Sequence, residues 1–176
     1  MSGFYKKFSI VGTAIIILLF LFYLLGIRVN TTKSIPIGIY LTSNENIEIG
    51  SFVLFCPPDN DVFLAAKKRN YITSGFCEGD YGYMMKQVVG QCGDNINITN
   101  EGLFVNGQII PHSKLIEKDL DGNSLPVYSK SYFLKENEVL LMSNVSDTSF
   151  DGRYFGPINK KQILTVVNPL ITFGGE

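Results

Sequence analysis

A mainly antiparallel β domain behind a single N-terminal transmembrane helix is the fold expected of this 176-residue chain. Three observations predict it. Phe8 to Ile27 carries no charged residue, and at about 1.5 Å per residue a helix of that length spans roughly the 30 Å hydrocarbon core of a bilayer. Beyond it, short runs rich in β-branched and aromatic residues recur between turn-forming residues, with little helical periodicity. Asn106-Gly107 between two apolar runs, LFV and QII, suits a type I′ hairpin turn, in which both central residues take positive φ.

In chain order, the apolar run comes first. Its β-branched and aromatic residues would weaken a helix in water, but in lipid the backbone must satisfy itself, and a helix does so. A cleaved signal peptide is the alternative, disfavoured because the run exceeds the roughly 7 to 15 apolar residues of such peptides and no A-x-A-like site follows. Lys6, Lys7 and the terminal amine precede the run, while Arg28 and Lys33 follow it. That balance favours an N-terminus in the cytoplasm and the remainder outside, which in a bacterium means the periplasm or external face. The expected division is residues 1–28 as cytoplasmic tip and anchor, and residues 29–176 as the exported domain.

Charge divides the chain a few residues later, after Lys33. Residues 1–33 contain four basic residues and no acid, leaving eleven of the fifteen basic residues beside all sixteen acidic ones in the rest. The near-neutral total argues against nucleic acid as a partner. Strands are expected at Pro36 to Leu41, Ser51 to Phe55, Met84 to Val89, Ile96 to Ile98, Glu138 to Met142 and Ile163 to Val167, with a helix only at Val62 to Tyr71. Cys56, Cys77 and Cys92 are too few and wrongly spaced for a four-ligand zinc site, and the single histidine, His112, lies far from them in sequence. No metal and no cofactor are expected. An oxidising compartment permits one disulfide, with three pairings open.

His112, in a turn-like PHS segment, makes no comfortable Ser-His-Asp triad. A serine activated by a lysine whose pKa is lowered by burial needs no histidine. Lys86, among Met84, Met85, Val88 and Val89, has the apolar setting such a lysine requires, although strand alternation alone reads it as solvent-facing. Ser34 lies seven residues past the apolar run, where Pro36 holds Ile35 extended.

Three segments together resemble a known family. Thr32-Lys33-Ser34-Ile35-Pro36-Ile37-Gly38-Ile39-Tyr40, then Lys86-Gln87-Val88-Val89-Gly90-Gln91-Cys92-Gly93-Asp94, then Ser149-Phe150-Asp151-Gly152-Arg153-Tyr154-Phe155-Gly156-Pro157 resemble successive boxes of the bacterial type I signal peptidases. S-x-P-x-G-x-Y, the CPP at Cys56 to Pro58, and S-F-D-x-R-Y-F-G-P resemble its TraF-type, conjugative-transfer branch. Gln87, Cys92 and Gly152 depart from the Arg, Pro and Ser common there, and none of these removes a group that makes or breaks bonds.

The resemblance implies a signal-peptidase-like β fold and a membrane-anchored serine endopeptidase, with Ser34 as nucleophile and Lys86 as general base. It also implies that the Thr32 hydroxyl joins the Ser34 N–H around the oxyanion. Asp151 matches the third required residue, read as pairing with Arg153 to hold the last active-site strand, or as orienting Lys86, rather than as a base. Ser149 is read as a hydrogen-bond partner of the lysine amine. A Cys56–Cys77 bridge with Cys92 free belongs to the same resemblance. The implied partners are the lipid bilayer and a membrane-bound precursor, in the TraF branch a pilin whose own amino terminus can resolve the acyl-enzyme into a ring. A general signal peptidase, a Ser-Lys self-cleaving regulator and a non-catalytic anchored subunit of a secretion apparatus are the alternatives.

Overall fold

The computed structural model describes residues 2–173. Its elements in chain order are α1 (Ser2–Leu24), β1 (Ile27–Asn30), β2 (Ile37–Ser43), β3 (Phe52–Phe55), α2 (Asp61–Lys68), β4 (Ser74–Cys77), β5 (Met84–Gln91), β6 (Asn95–Ile98), β7 (Leu103–Val105), β8 (Gln108–Ile109), β9 (Ser131–Phe133), β10 (Glu138–Met142), α3 (Gly152–Phe155), β11 (Ile158–Asn159) and β12 (Ile163–Phe173), with short 3-10 turns at Glu78–Asp80 and Lys160–Gln162. Seven strands form one sheet in the order β1-β2-β12-β3-β5-β10-β11, and four form a second, β8-β7-β6-β9. Every strand pairing is antiparallel.

Helix α1 presents its apolar side chains outward, and none of Tyr5–Leu24 is buried against the domain. Its length and composition suit a membrane anchor or a signal sequence. It stops at Leu24 rather than running to Ile27 as expected. Gly26, at φ +84°, turns the chain where a side chain would sit 2.2 Å from Thr42 Oγ1. Arg28 then donates to the Tyr23 carbonyl at 2.9 Å and lies over the Tyr23 ring, placing positive charge at the helix C-terminus. Ile27 and Arg28 are thus residues of β1, paired with Leu41 and Tyr40 of β2.

Most expected strands lie within one or two residues of where the alternation placed them. At the hairpin, Asn106 and Gly107 adopt φ of 51° and 81°, as a type I′ turn demands. Strand β12 is much longer than its ILTVV signal, because it pairs with β3 and then with β2, bulging between Pro169 and Ile171, where proline has no N–H to give. The helix expected over Val62 to Tyr71 is α2. Asn60 caps it, accepting from the N–H groups of Val62 and Phe63.

Three apolar clusters hold the sheets. Val53, Phe55, Phe63, Val88, Leu141 and Phe155 pack between the large sheet and the two short helices. Ile96, Leu103, Leu134, Leu140 and Met142 join the large sheet to the small one. Ile35, Tyr40, Leu54 and Val167 form a third cluster beneath the β1–β2 connection. Cys56 and Cys77 are bridged, enclosing α2 in a loop with 21 residues of sequence separation, and Cys92 is free and exposed. Replacing both bridged cysteines with alanine is expected to lower unfolding free energy by about 3 kcal/mol, the chain-entropy value for a loop of this size. Urea denaturation of the oxidised chain and the double variant measures it, and equal midpoints would contradict it.

Candidate active site

The β1–β2 connection carries Ser34, and its conformation is imposed by two side chains. Ile35 is fully buried in the third cluster and pins the loop to the core. Asn30, the last residue of β1 and 5% exposed, fills the inside of the loop. Its Nδ2 donates to the carbonyls of Thr32, Ile35 and Pro36 at 2.8, 2.9 and 3.1 Å. Its Oδ1 accepts from the Thr32 N–H at 3.2 Å and the Thr32 hydroxyl at 2.9 Å. The Tyr40 hydroxyl adds a 2.5 Å bond to the Pro36 carbonyl. The half-buried Ser34 is left with its Oγ 2.6 Å from Thr32 Oγ1.

Lys86 comes from β5, where it shares a buried face with Val88 and Gly90. Alternation alone read it as solvent-facing, but at 2% exposure it is part of the interior. Alternation cannot tell which face is the inner one where both carry apolar residues, and on β5 Met85 and Val89, on the face opposite Lys86, also pack against the apolar clusters. Burial pushes the Lys86 ammonium down to about 8, the nearby Asp151 carboxylate opposing the shift and the Arg153 guanidinium adding to it. Lys86 Nζ donates to Ser149 Oγ at 2.5 Å, which fixes the amine's rotamer.

Ser149 is held by the segment after β10. Asp151 and Arg153, both with fully buried side chains, form a two-point ion pair: Nε reaches Oδ1 and Nη2 reaches Oδ2, each at 2.8 Å. Arg153 spends its remaining donors on the carbonyls of Lys114, Asp147 and Ser149. Asp151 also accepts from the Arg153 N–H, so it caps α3 rather than belonging to a strand. Gly152 is needed there, because a Cβ would lie 2.9 Å from the Leu141 carbonyl oxygen and 2.5 Å from Leu140 Cδ1. The expectation that this pair holds a final active-site strand is corrected to a loop ending in a one-turn helix.

The loop at 29–34, the Tyr83 to Lys86 stretch and the Ser146 to Phe150 segment line one cleft of about 490 Å³, which contains Thr32, Ser34, Lys86 and Ser149. Asp151 and Arg153 lie behind it. His112 stands apart at a positive-φ turn, its Nδ1 3.0 Å from Asp147 Oδ1. Among the described residues, no group of three or more His, Cys, Asp and Glu side chains could hold a metal.

Two residues of this arrangement went unread in the sequence. Ser143, fully buried, gives its N–H to Asp151 Oδ2 and its hydroxyl to the Lys33 carbonyl, both at 3.3 Å, tying the ion pair to the Ser34 loop. Its sequence neighbours gave no sign of a partner 110 residues away. Asn30 has a local signal, an Asn two residues before a Thr, which is the spacing of an Asx turn. Asp151→Asn would leave the Arg153 charge buried without its counter-ion, and is expected to cost about 3–5 kcal/mol of stability. Urea unfolding measures this, and a loss below about 1 kcal/mol, the value of an exposed pair, would contradict it.

Residues 4–171 match the family model described as signal peptidase, peptidase S26. The plasmid transfer protein TraF of Escherichia coli is 56% identical over 169 residues, covering 96% of each chain. The conjugal transfer protein TraF of Agrobacterium tumefaciens is 31% identical over 150 residues, covering 84% of each. A crystal structure of a signal peptidase I from Enterococcus faecalis superposes with a TM-score of 0.43 at 14% identity, covering 72% of this chain and 100% of the other. The family model and the plasmid and conjugal transfer relatives cover most of the chain, and the chain belongs to the signal peptidase family as a close homologue of the TraF transfer proteins.

Proposed function

We propose that this chain is a membrane-anchored serine endopeptidase that uses a Ser34/Lys86 dyad to process an exported precursor, the pilin of a conjugation system. The observation that carries the reading is Lys86: a fully buried amine pushed down to about 8, in the cleft that holds Ser34. A lysine at its ordinary pKa is almost wholly protonated at neutral pH and cannot accept a proton. Near 8, about a tenth is free base at pH 7.

In the reaction, neutral Lys86 Nζ removes the Ser34 hydroxyl proton as Ser34 Oγ bonds to the scissile carbonyl carbon. The carbonyl π pair moves onto oxygen, where the Ser34 N–H and the Thr32 hydroxyl donate to it. Collapse expels the leaving amine, which takes the proton from Lys86, and leaves an ester on Ser34. Water, or the precursor's own amino terminus, then attacks the ester and restores the serine. Ser149 keeps the lysine amine in place through both halves.

Helix α1 acts as an anchor with its N-terminus in the cytoplasm and the β domain on the periplasmic face. The Cys56–Cys77 bridge supports an oxidising location. Similarity to proteins named for plasmid and conjugal transfer supports a pilin precursor over secreted proteins at large. The mass of the processed precursor distinguishes the fates of the ester, since a cyclic product is lighter than the linear one by one water.

Ser34→Ala and Lys86→Ala are expected to abolish labelling of the chain by an acylating β-lactam-type probe while leaving the fold intact by circular dichroism. The rate should rise tenfold per pH unit below about 8 and level off above it, because the active form of Lys86 is the deprotonated one. A rate independent of pH between 6 and 9, or full labelling of either variant, would sink the dyad.

Deleting residues 2–24, which spares β1, is expected to reduce processing of a membrane-bound precursor far more than cleavage of a soluble peptide, since the anchor raises the effective concentration only of substrates in the same membrane. Equal losses on both would remove the role given to the anchor.

A further inference from the structure

Two hydroxyls and one amide lie in a row in the Ser34 loop, and chemistry allows their protons only one order. Asn30 Nδ2 faces three carbonyl oxygens, of Thr32, Ile35 and Pro36, and these can only accept. The amide nitrogen must therefore lie on that side, and the amide oxygen on the side of the Thr32 N–H. The Thr32 hydroxyl, 2.9 Å from Asn30 Oδ1, has a single proton, and Oδ1 has none to offer. Thr32 thus donates to Asn30. Ser34 Oγ, 2.6 Å from Thr32 Oγ1, is left as the donor of that contact.

We infer that Asn30 is a positioning residue for the proposed reaction: through Thr32 it sets the direction of the Ser34 hydroxyl proton in the resting site and holds in reserve the donor that the oxyanion requires. The inference rests on the Ser34/Lys86 reading. In the resting site the protons run from Ser34 to Thr32 to Asn30. For attack, the Ser34 O–H turns from Thr32 to neutral Lys86, the proton moves to Nζ, and the oxygen pair forms the bond to the carbonyl carbon. Ser34 Oγ then has no proton to donate to Thr32. The Thr32 hydroxyl turns from Asn30 Oδ1 to the new oxyanion, while Oδ1 keeps the Thr32 N–H and so the loop keeps its shape. One hydroxyl proton serves two acceptors in succession, and the strength of the Asn30 acceptor decides how readily it changes over.

Asn30→Asp tests this directly, because a carboxylate holds the Thr32 proton roughly twice as strongly as an amide oxygen does. The full chain in detergent is labelled with the acylating β-lactam-type probe, and maximal rate is separated from half-saturating concentration. Asn30→Asp is expected to lower the maximal rate by about tenfold and to change the half-saturating concentration by no more than about twofold. The substitution also removes the three Nδ2 bonds in any background, so the ratio decides: in a Thr32→Val background, where no hydroxyl remains to be held, it is expected to cost at least about threefold less. Equal costs in both backgrounds would show that Asn30 is only a brace for the loop, and the inference would fall while the dyad stood. No labelling of the unsubstituted chain would overturn the dyad itself, before any Asn30 variant is made.

Should Asn30→Asp not fold, NMR of the unsubstituted chain and of Ser34→Ala decides the proton order. A slowly exchanging Thr32 hydroxyl proton with a cross-peak to the Asn30 side chain is expected in both. Its absence, or its loss in Ser34→Ala, overturns the inference.

Discussion

The buried Asp151–Arg153 pair is the interaction on which the rest of the site depends. Both side chains are wholly out of solvent. Removing two charges from water costs several kcal/mol each, and only near-ideal geometry with every remaining donor and acceptor engaged recovers it. Here that condition is met: the guanidinium gives its other hydrogens to three carbonyls, and the carboxylate takes further N–H groups from Ser143 and Arg153. Satisfying the pair fixes the backbone at four residues at once, Lys114, Ser143, Asp147 and Ser149. Rigidity at the cleft wall is therefore a by-product of solving a desolvation problem.

The same pair determines what Lys86 experiences. A lone carboxylate beside a buried ammonium would hold its proton on. Arg153 is close enough to Asp151 that the two charges act on Lys86 in opposite directions, and burial is then the largest influence left. A neutralised ion pair behind the amine gives a polar wall with little net field, which is what a buried lysine needs to titrate near neutrality.

Much of this was legible in the chain. The strands whose hydrophobic runs pack directly on the core, such as Phe52–Phe55 and Glu138–Met142, were readable because each run reports its own burial. The Asn106-Gly107 turn was readable because its chemistry is local. Strands β1, β4 and β9 were not, since their short sequences carry little burial pattern and take their place from partners elsewhere in the chain. Lys86 divided the two kinds of reading: periodicity placed it outside, whereas the run of motifs to which it belongs singled it out. Ser143 is recognisable only by the atoms it faces, and the Asx-turn spacing of Asn30 says nothing of the carbonyls that its amide nitrogen meets. A serine and an asparagine in a polar stretch look alike whether they hold a loop together or meet water.

Only Leu25 and Gly26 separate the last turn of α1 from the first residue of β1, and Arg28 bridges that gap by bonding back to Tyr23. Such a join transmits angle as well as position. A helix embedded in lipid tilts to match the thickness of its bilayer, and with no slack at the joint, a change of tilt would swing β1 and the Ser34 loop with it. With α1 in a bilayer, as proposed, the height and bearing of the cleft over the membrane depend on the thickness of the bilayer itself.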